Sequence, residues 1–246
     1  NRDGSLALEN VKFNAYGGEI LGVAGISGCG QKELLESIAG LQLTTKKSSI
    51  LYKPDDLGPQ QLVGKSPREI RKLGVALSFV PEDRLGMGLV GNMDIIDNMM
   101  LRSYKSGRSS FLDRKGPKSL ADKIIKDLEV VTPNATTPVR RLSGGNVQKV
   151  LVGREIAAQP KVLMVAYPVR GLDINSSYTI YNLLTEQKKK GTAIIFVGED
   201  LDVLLELCDR IMVMNSGRIT GIVDGKTATK EEIGFLMTKS ADREGE

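Results

Sequence analysis

Histidine and tryptophan are absent from this chain of 246 residues, and cysteine occurs twice, as Cys29 and Cys208. Without histidine the chain lacks the commonest general base and metal ligand, and with them every Ser-His or Cys-His catalytic arrangement. A pair of cysteines does not suggest a disulfide framework, which favours a cytosolic setting. Aromatic residues make up only 4% of the chain, whereas a nucleic-acid groove usually combines clustered positive charge with stacking rings. We therefore expect no nucleic-acid partner.

Long apolar runs are also missing, since none approaches the ~20 residues that a membrane-spanning helix needs. The first residues show no signal-peptide pattern, and the absence of a starting methionine suggests a piece of a longer protein. What is present is ordinary: 41% hydrophobic residues, 26% charged residues and a net charge of +4. This composition fits a globular protein with a large core and dispersed surface charge.

Buried-strand patterns alternate with helical patterns along the chain. The strands are predicted over 19–26, 75–80, 162–166 and 193–197, with short antiparallel strands within 41–65 and a hairpin over 210–223. The helices are predicted over 31–39, 120–130 and 176–190, with a last helix after a capping box that begins at Thr229. The alternation predicts an α/β fold with a mostly parallel sheet, an antiparallel β portion and an inserted helical subdomain. We expect the α/β core in 1–81 and 159–246, and the helical subdomain in 82–158.

A glycine-rich loop lies between the first predicted strand and the first predicted helix. From Gly25 to Gly30 it has the glycine spacing of a phosphate-binding P-loop, GxxxxGK[ST]. Glycines let the backbone approach a phosphate, and a helix N-terminus offers free N–H groups. The motif's lysine and hydroxyl residue are replaced by Gln31 and Lys32. Lys32 lies one position late, which rotates it by about 100° on a helix, so we do not expect it to replace the lysine.

The candidate phosphate contacts in this loop are the following residues: Gly25, Ser27, Gly28, Gly30, Gln31 and Lys32. The alternative is an ordinary strand-to-helix turn that binds nothing. A second run of the same kind, Leu142-Ser143-Gly144-Gly145-Asn146, precedes an amphipathic helical pattern. Here too a glycine-rich backbone leads into a helix N-terminus, which is the geometry of an anion site. Taken alone, it could equally be a turn.

The order of these features along the chain is more specific than any one of them. After Ser143–Asn146 come a buried strand that ends at Ala166-Tyr167-Pro168 and a turn, Gly171-Leu172-Asp173. In this order they resemble the nucleotide-binding domain of ATP-binding cassette (ABC) proteins, a P-loop NTPase (RecA-like) fold. The resemblance makes 142–146 the signature motif, the strand the Walker B motif and 171–173 the D-loop.

The same resemblance implies that the chain's own catalytic machinery is missing. The aspartate that holds Mg²⁺ in Walker B is Ala166, and the glutamate that activates water is Tyr167. Glu82 takes the place of the glutamine that senses the γ-phosphate, and Glu199 that of the switch histidine. Alanine cannot hold a cation that needs oxygen ligands, and phosphoryl transfer depends on charge neutralisation. We therefore predict no metal site, weak or absent ATP binding and negligible hydrolysis on this P-loop, with Glu82 a further candidate nucleotide contact.

Two segments make the resemblance closest to the second ATPase half of the tandem ATPases of bacterial sugar and nucleoside importers. They are Val80–Arg84 with Gly88-Leu89-Val90, and Leu142–Lys149. The family's first strand, with an adenine-stacking aromatic residue, would then lie upstream of Asn1. The resemblance also implies that the elements that act in trans, on ATP held by the opposite domain, are present here: Ser143, Gly144, Gly145, Asn146 in place of the usual glutamine, and Asp173.

The implied partners follow from the same resemblance. They are an intact ATPase half of the same polypeptide, the transmembrane permease subunits that the helical subdomain meets at the cytoplasmic face of the membrane, and indirectly a substrate-binding protein. The alternative is a non-catalytic regulatory module that binds nucleotide or a partner, which the missing acids fit equally well. A DNA-repair or chromosome ATPase of this family would need a competent site, and the sequence does not favour it.

Overall fold

The computed structural model describes residues 6–45, 47–54, 58–73, 75, 77–103 and 113–239. Its strands are β1 (Ile20–Gly25), β2 (Leu51–Tyr52), β3 (Gln60–Gln61), β4 (Leu77–Val80), β5 (Val162–Ala166), β6 (Ala193–Val197), β7 (Arg210–Asn215) and β8 (Arg218–Asp224). Its α-helices are α1 (Gln31–Ile38), α2 (Pro67–Lys72), α3 (Ile95–Met100), α4 (Lys115–Asp127), α5 (Gly144–Ala157), α6 (Ile174–Lys189), α7 (Leu201–Leu207) and α8 (Lys230–Thr238). A π-helix covers Arg84–Gly88 and a 3₁₀ turn covers Val139–Arg141.

The main sheet has the strand order β4-β5-β6-β1-β7-β8. β1 lies near its middle and pairs in parallel with β6 and with β7, so that Val23 lies opposite both Val197 and Met212. β7 and β8 form an antiparallel hairpin at one edge, and β2 and β3 form a separate antiparallel pair. The predicted α/β fold, with a mostly parallel sheet and an antiparallel portion, is confirmed.

Apolar packing on the sheet orients the first helix. β1 is buried over nearly its whole length, as expected for a central parallel strand covered on both faces. Leu34, Leu35 and Ile38 of α1 join Leu21 and Met212 of the sheet in one buried apolar cluster. Because this cluster fixes α1 against the sheet, it also fixes the loop that joins β1 to α1.

The chain divides into two compact units. The first, which we call the core unit, comprises Asn1–Phe79, Pro160–Tyr167 and Thr185–Glu246. The second, the helical unit, comprises Val80–Gln159 and Pro168–Leu184. The glycine-rich loop belongs to the core unit, whereas the Ser-Gly-Gly run belongs to the helical unit. The predicted division of the chain into an α/β core over 1–81 and 159–246 and a helical subdomain over 82–158 stays a prediction.

Several element boundaries differ from the predicted ones. The helix predicted over 120–130 begins five residues earlier, at Lys115. The helices α2 and α7 were not predicted at all. Of the predicted strand over 75–80, β4 covers the last four residues, and residue 76 lies outside the described residues. Within the described ranges, no helix combines the length and the apolar character that crossing a membrane requires.

Candidate functional site

The loop between β1 and α1 depends on glycine at three positions. Gly28 and Gly30 have φ angles of +87° and +99°, in the left-handed region that side chains other than glycine rarely adopt. A Cβ on Gly25 would lie 2.5 Å from Nε2 of Gln31 and 2.6 Å from the carbonyl oxygen of Met214. The backbone conformation between the strand and the helix therefore requires glycine at these three positions.

Backbone donors at the start of α1 lack partners within the helix. The first helical bond runs from the Leu34 N–H to the Gly30 carbonyl at 2.9 Å, which leaves the amides of residues 31–33 without an intrahelical acceptor. Gly30 is the N-cap residue and has no side chain that could accept from them. Ser27 is exposed in the loop before it. This arrangement of backbone donors is suited to an anion.

The first two side chains after the loop, those of Gln31 and Lys32, point in different directions. Gln31 is buried, with 2% of its surface exposed, and its Nε2 donates to the Ile26 carbonyl at 3.1 Å. The Lys32 ammonium lies 3.9 Å from the Glu36 carboxylate, one turn along the helix, and the side chain is 59% exposed. Gln31 thus bonds to the loop's own backbone, and Lys32 extends along the helix surface.

The end of β5 carries no carboxylate. Ala166 is buried, and Tyr167 follows with a φ of +48°, a strained conformation for a bulky residue. The Tyr167 N–H donates to the Val197 carbonyl at 2.9 Å, and its side chain packs against the buried apolar cluster. Among the residues that the structure describes, no group of three or more Cys, Asp or Glu side chains could hold a metal ion. Glu199 is exposed after β6.

The Ser-Gly-Gly run forms a capped helix start. Ser143 is the N-cap of α5, and its Oγ accepts from the Asn146 N–H at 3.4 Å and from Asn146 Nδ2 at 2.9 Å. The Oδ1 of Asn146 in turn accepts from the Val131 N–H at 2.9 Å. Ser143 and Asn146 therefore hold each other in place, and they are tied to the chain that precedes the run.

The turn at Asp173 meets this helix start. Asp173 accepts from the N–H of Ser176 at 2.9 Å and from its Oγ at 2.7 Å, and these hydrogen bonds hold the pKa of Asp173 below its usual value. A Cβ on Gly145 would lie 3.0 Å from the Ser176 Oγ and 3.7 Å from Oδ2 of Asp173. The structure thus brings the run 143–146 and Asp173 together within the helical unit.

A charged cluster beside them was missed by sequence analysis. Glu82, just after β4, forms an ion pair with Arg170, and Arg84 donates to the Arg170 carbonyl. The paired residues lie 88 positions apart, and no local pattern connects them. The structure thus gives Glu82 a positive partner, which the sequence did not.

The chain matches a known family over most of its length. A family model described as ABC transporter covers residues 8–168. The chain belongs to the ABC transporter family. Sequence analysis predicted that the glycine-rich loop, the run 142–146 and the turn at Asp173 are the P-loop, signature and D-loop of this family, and we keep these names for them; the match itself ends before Asp173. This family membership confirms the resemblance predicted from the order of the motifs.

Curated relatives are import ATP-binding proteins. The chain is 36% identical over 237 residues to the nucleoside import ATP-binding protein NupA of Lactococcus lactis, covering 95% of this ABC transporter chain and 45% of the relative. It is 35% identical over 240 residues to the guanosine import ATP-binding protein NupO of Bacillus subtilis, covering 96% and 46%. It is also 35% identical over 230 residues to the galactose/methyl galactoside import ATP-binding protein MglA of Escherichia coli, covering 92% and 44%. The chain thus spans just under half the length of these relatives.

Solved structures of ABC cassettes share the fold. A dimeric ATP-binding cassette in a post-hydrolysis state with ADP and phosphate matches with a TM-score of 0.74 at 22% identity, over 90% of this chain and 92% of that one. A nucleotide-free cassette from an ABC transporter matches with a TM-score of 0.73 at 22% identity, over 95% and 89%. These matches confirm the predicted P-loop NTPase fold.

Proposed function

We propose that this chain is the ATP-binding domain of a sugar or nucleoside importer whose own nucleotide site is degenerate. It supplies its signature motif and D-loop to the competent ATP site of a partner ATPase domain. The observation that carries the proposal is a contrast within the molecule. The P-loop lacks the lysine of its motif and a carboxylate at the end of β5, whereas the signature and the D-loop each have their own hydrogen bonds and approach each other at Gly145 and Ser176.

The chain's own site fits a phosphate but does not fit Mg²⁺. The P-loop keeps the backbone cradle that glycines and a helix N-terminus provide. Ala166 offers no oxygen ligand, and Gln31 bonds to the Ile26 carbonyl instead of carrying a charge. Loss of one preorganised electrostatic donor costs roughly 3–4 kcal/mol, or about 10²–10³ in rate. We therefore assign weak or absent ATP binding and no hydrolysis to this site.

The signature motif and the D-loop, which we propose act on ATP of the partner domain, are held in place by contacts within this chain. Ser143 and Asn146 share hydrogen bonds at the start of α5, and the backbone at Gly145 passes close to Ser176, which binds Asp173. Because both motifs belong to the helical unit, this unit can present them together. ATP bound to the partner's P-loop would then lie against Ser143, Gly144, Gly145, Asn146 and Asp173.

The relatives suggest where the partners come from. Since the named relatives are about twice as long as this chain, we assign the competent site to an intact ATPase half of the same polypeptide. Exposed apolar side chains cluster in sequence on and after the π-helix, on Leu85, Met87, Val90 and Met93. We propose that they contact the transmembrane permease subunits at the cytoplasmic face of the membrane. A substrate-binding protein would act only indirectly.

A regulatory module that never completes an ATP site is the second candidate. The neutral residues Gln31 and Ala166 favour it, because a domain that only binds a partner needs no phosphate chemistry. It does not explain why Ser143, Asn146 and Asp173 keep an ordered arrangement. The two candidates differ in what the signature does, and this difference can be measured.

The deciding experiment is Ser143→Arg in the assembled pair of this chain and an intact ATPase half. Arginine would fill the space that the signature leaves for the phosphates, so we expect ATP turnover to fall by about 10²-fold or more. Ser66→Arg is the matched control, because Ser66 is also a helix N-cap but belongs to the core unit. We expect it to leave turnover within about twofold. Unchanged turnover in Ser143→Arg, or hydrolysis by this chain alone, would contradict the proposal.

A further inference from the structure

Arg84 lies against two of the motifs at once. Its Nη2 donates to the Arg170 carbonyl, in the segment that leads into the D-loop. Its Nη1 lies 3.2 Å from the point where a Cβ on Gly144 would be. One guanidinium therefore lies between the start of the signature helix and the backbone before the D-loop. A side chain on Gly144 would crowd it.

The turn that carries Arg84 is itself fixed. Arg84 begins the π-helix, and the side chain of Asp83, its N-cap residue, accepts from the Gly86 N–H at 2.7 Å. A Cβ on Gly86 would lie 2.0 Å from the Asp83 carboxylate, so this contact also depends on glycine. The backbone of Arg84 is therefore fixed by this turn, and its guanidinium is fixed by the hydrogen bond to the Arg170 carbonyl.

Residue 170 is held from two directions. Its side chain pairs with Glu82, while its carbonyl accepts from Arg84. Arginine presents several donors in a rigid fork, and together these contacts restrain both the position and the rotation of the Arg170 peptide. The segment 82–84 and the segment before the D-loop are thereby joined twice.

Helix stability does not account for the position of Arg84. A cation near a helix N-terminus opposes the helix dipole, and α5 begins right beside this guanidinium. Partial burial lowers the pKa of Arg84, since the charged form loses part of its hydration. An arrangement with local costs of this kind is expected where function requires it.

We propose that Arg84 is a positioning residue that sets the signature run 143–146 against the D-loop, with the Glu82–Arg170 ion pair holding the carbonyl that Arg84 binds. This inference rests on the proposed function, because it concerns how both motifs reach one ATP on the partner domain. A misplacement of about 1 Å in a catalytic arrangement can cost roughly 10²-fold in rate. Glu82 thus serves the partner's site through Arg170.

The test compares Arg84→Ala, Arg84→Lys and Glu82→Gln in the assembled pair with an intact ATPase half. We expect Arg84→Ala to lower kcat by about 10–100-fold while KM for ATP changes by less than about threefold. Lysine can reach one acceptor, so we expect Arg84→Lys to recover at least about a third of the lost rate. Arg114→Ala, which removes an exposed arginine of the same unit, is the control and should stay within about twofold.

A double-mutant cycle separates positioning from folding. Glu82→Gln should lower kcat in the parent but add no further loss to Arg84→Ala, since the contact that it supports is already gone. Thermal unfolding of each variant identifies any that fails to fold, and Arg84→Lys then carries the test. An unchanged kcat in folded Arg84→Ala, or additive losses in the cycle, would overturn the inference. If Ser143→Arg also leaves turnover intact, the proposed function fails; if Ser143→Arg abolishes turnover, only the role of Arg84 fails.

Discussion

Two helices in this chain begin at glycine-rich segments, and their first turns are capped differently. The N-cap residue of helix α1 is Gly30, which has a left-handed backbone conformation and no side chain to cap the first turn. The N-cap residue of helix α5 is Ser143, whose Oγ accepts from Asn146. In the sequence both are short glycine runs before a helical pattern. In the structure the first leaves its backbone donors without a side-chain cap, and the second fixes the side chains that we propose act on the ATP of a partner domain.

The charges around the two helix starts differ as well. Beside α1, Gln31 is neutral and Lys32 points along the helix toward Glu36. Beside α5, Glu82 and Arg170 form an ion pair in the helical unit. A backbone cradle for an anion does not require charged side chains, because it depends only on glycine and helix geometry. We therefore expect substitutions in the two regions to have different effects, beginning with those that remove an anchor of each helix.

The largest expected effect concerns the anchor of α5. Glu155 is fully buried and accepts from Arg102 and from Arg154, which in turn donates to the Gly88 carbonyl at 2.7 Å. Glu155→Ala would leave Arg154, only 7% exposed, without its charged partner. We expect a loss of about 3–5 kcal/mol in the free energy of unfolding, measured by urea denaturation.

The matched change in α1 is Lys32→Ala, which removes an exposed partner of Glu36. Surface pairs of this kind contribute about 0–1 kcal/mol, so we expect the free energy of unfolding of this variant to stay close to that of the parent. Helix α1 is anchored instead by apolar residues, such as Leu34 and Leu35. Equal losses in the two variants would show that the helices are not anchored by different forces.

A second prediction concerns substitutions that add charged side chains to the P-loop site. Gln31→Lys would place an ammonium at the P-loop, where a charge-assisted contact is worth about 1.5–3 kcal/mol, or roughly 10–100-fold in ATP affinity. Adding Ala166→Asp supplies an oxygen ligand, so the affinity should then rise further with Mg²⁺. Calorimetric titration of ATP with and without Mg²⁺ measures both effects.

The parent chain provides the reference for this titration. We expect it to bind ATP weakly with little dependence on Mg²⁺, and we expect Lys32→Thr alone to leave binding unchanged because Lys32 faces Glu36. Tight, Mg²⁺-dependent binding by the parent would show that the two regions do not differ in the way proposed here.

Sequence patterns predicted the sheet better than the short helices. The central strands are continuous apolar runs, and β6 has the predicted bounds, Ala193–Val197. Helix α2 was missed although Ser66 and Glu69 form a capping box with Pro67 at the first helical position. Its six residues contain only one buried side chain, Ile70, so the apolar periodicity that identifies longer helices was absent.

The site was predictable where it depends on local order and not where it depends on distant pairs. The spacing of Gly25, Gly28 and Gly30 predicted the P-loop, because the chemistry of a loop is contained in consecutive residues. The ion pair of Glu82 with Arg170 joins segments that meet only in the folded helical unit. The left-handed φ of Tyr167 was equally unforeseen, since no propensity predicts a bulky residue there.

The smallest expected effect is a pH dependence at the D-loop. Hydrogen bonds from the Ser176 N–H and Oγ lower the pKa of Asp173 in the folded state. The stability that they contribute is therefore complete above the unfolded value, about 4, and is lost as the pH falls through the lower folded value. Asp173→Asn keeps a capping oxygen but does not titrate. The parent's stability advantage over Asp173→Asn should thus be constant above about pH 5 and shrink below about pH 4.

Urea unfolding of both proteins across this pH range measures the difference, which will be small because Asp173 is exposed and its charge is screened. Ser176→Ala removes the hydroxyl donor but keeps the N–H, so its pH dependence should lie between those of the parent and Asp173→Asn. This order follows from two donors acting on one carboxylate. A parent advantage that persists unchanged to pH values of about 3 would mean that Asp173 is not held by Ser176 in solution. The D-loop would then lack the hydrogen bonds that the structure gives it, and the contrast between the two regions would rest on the signature alone.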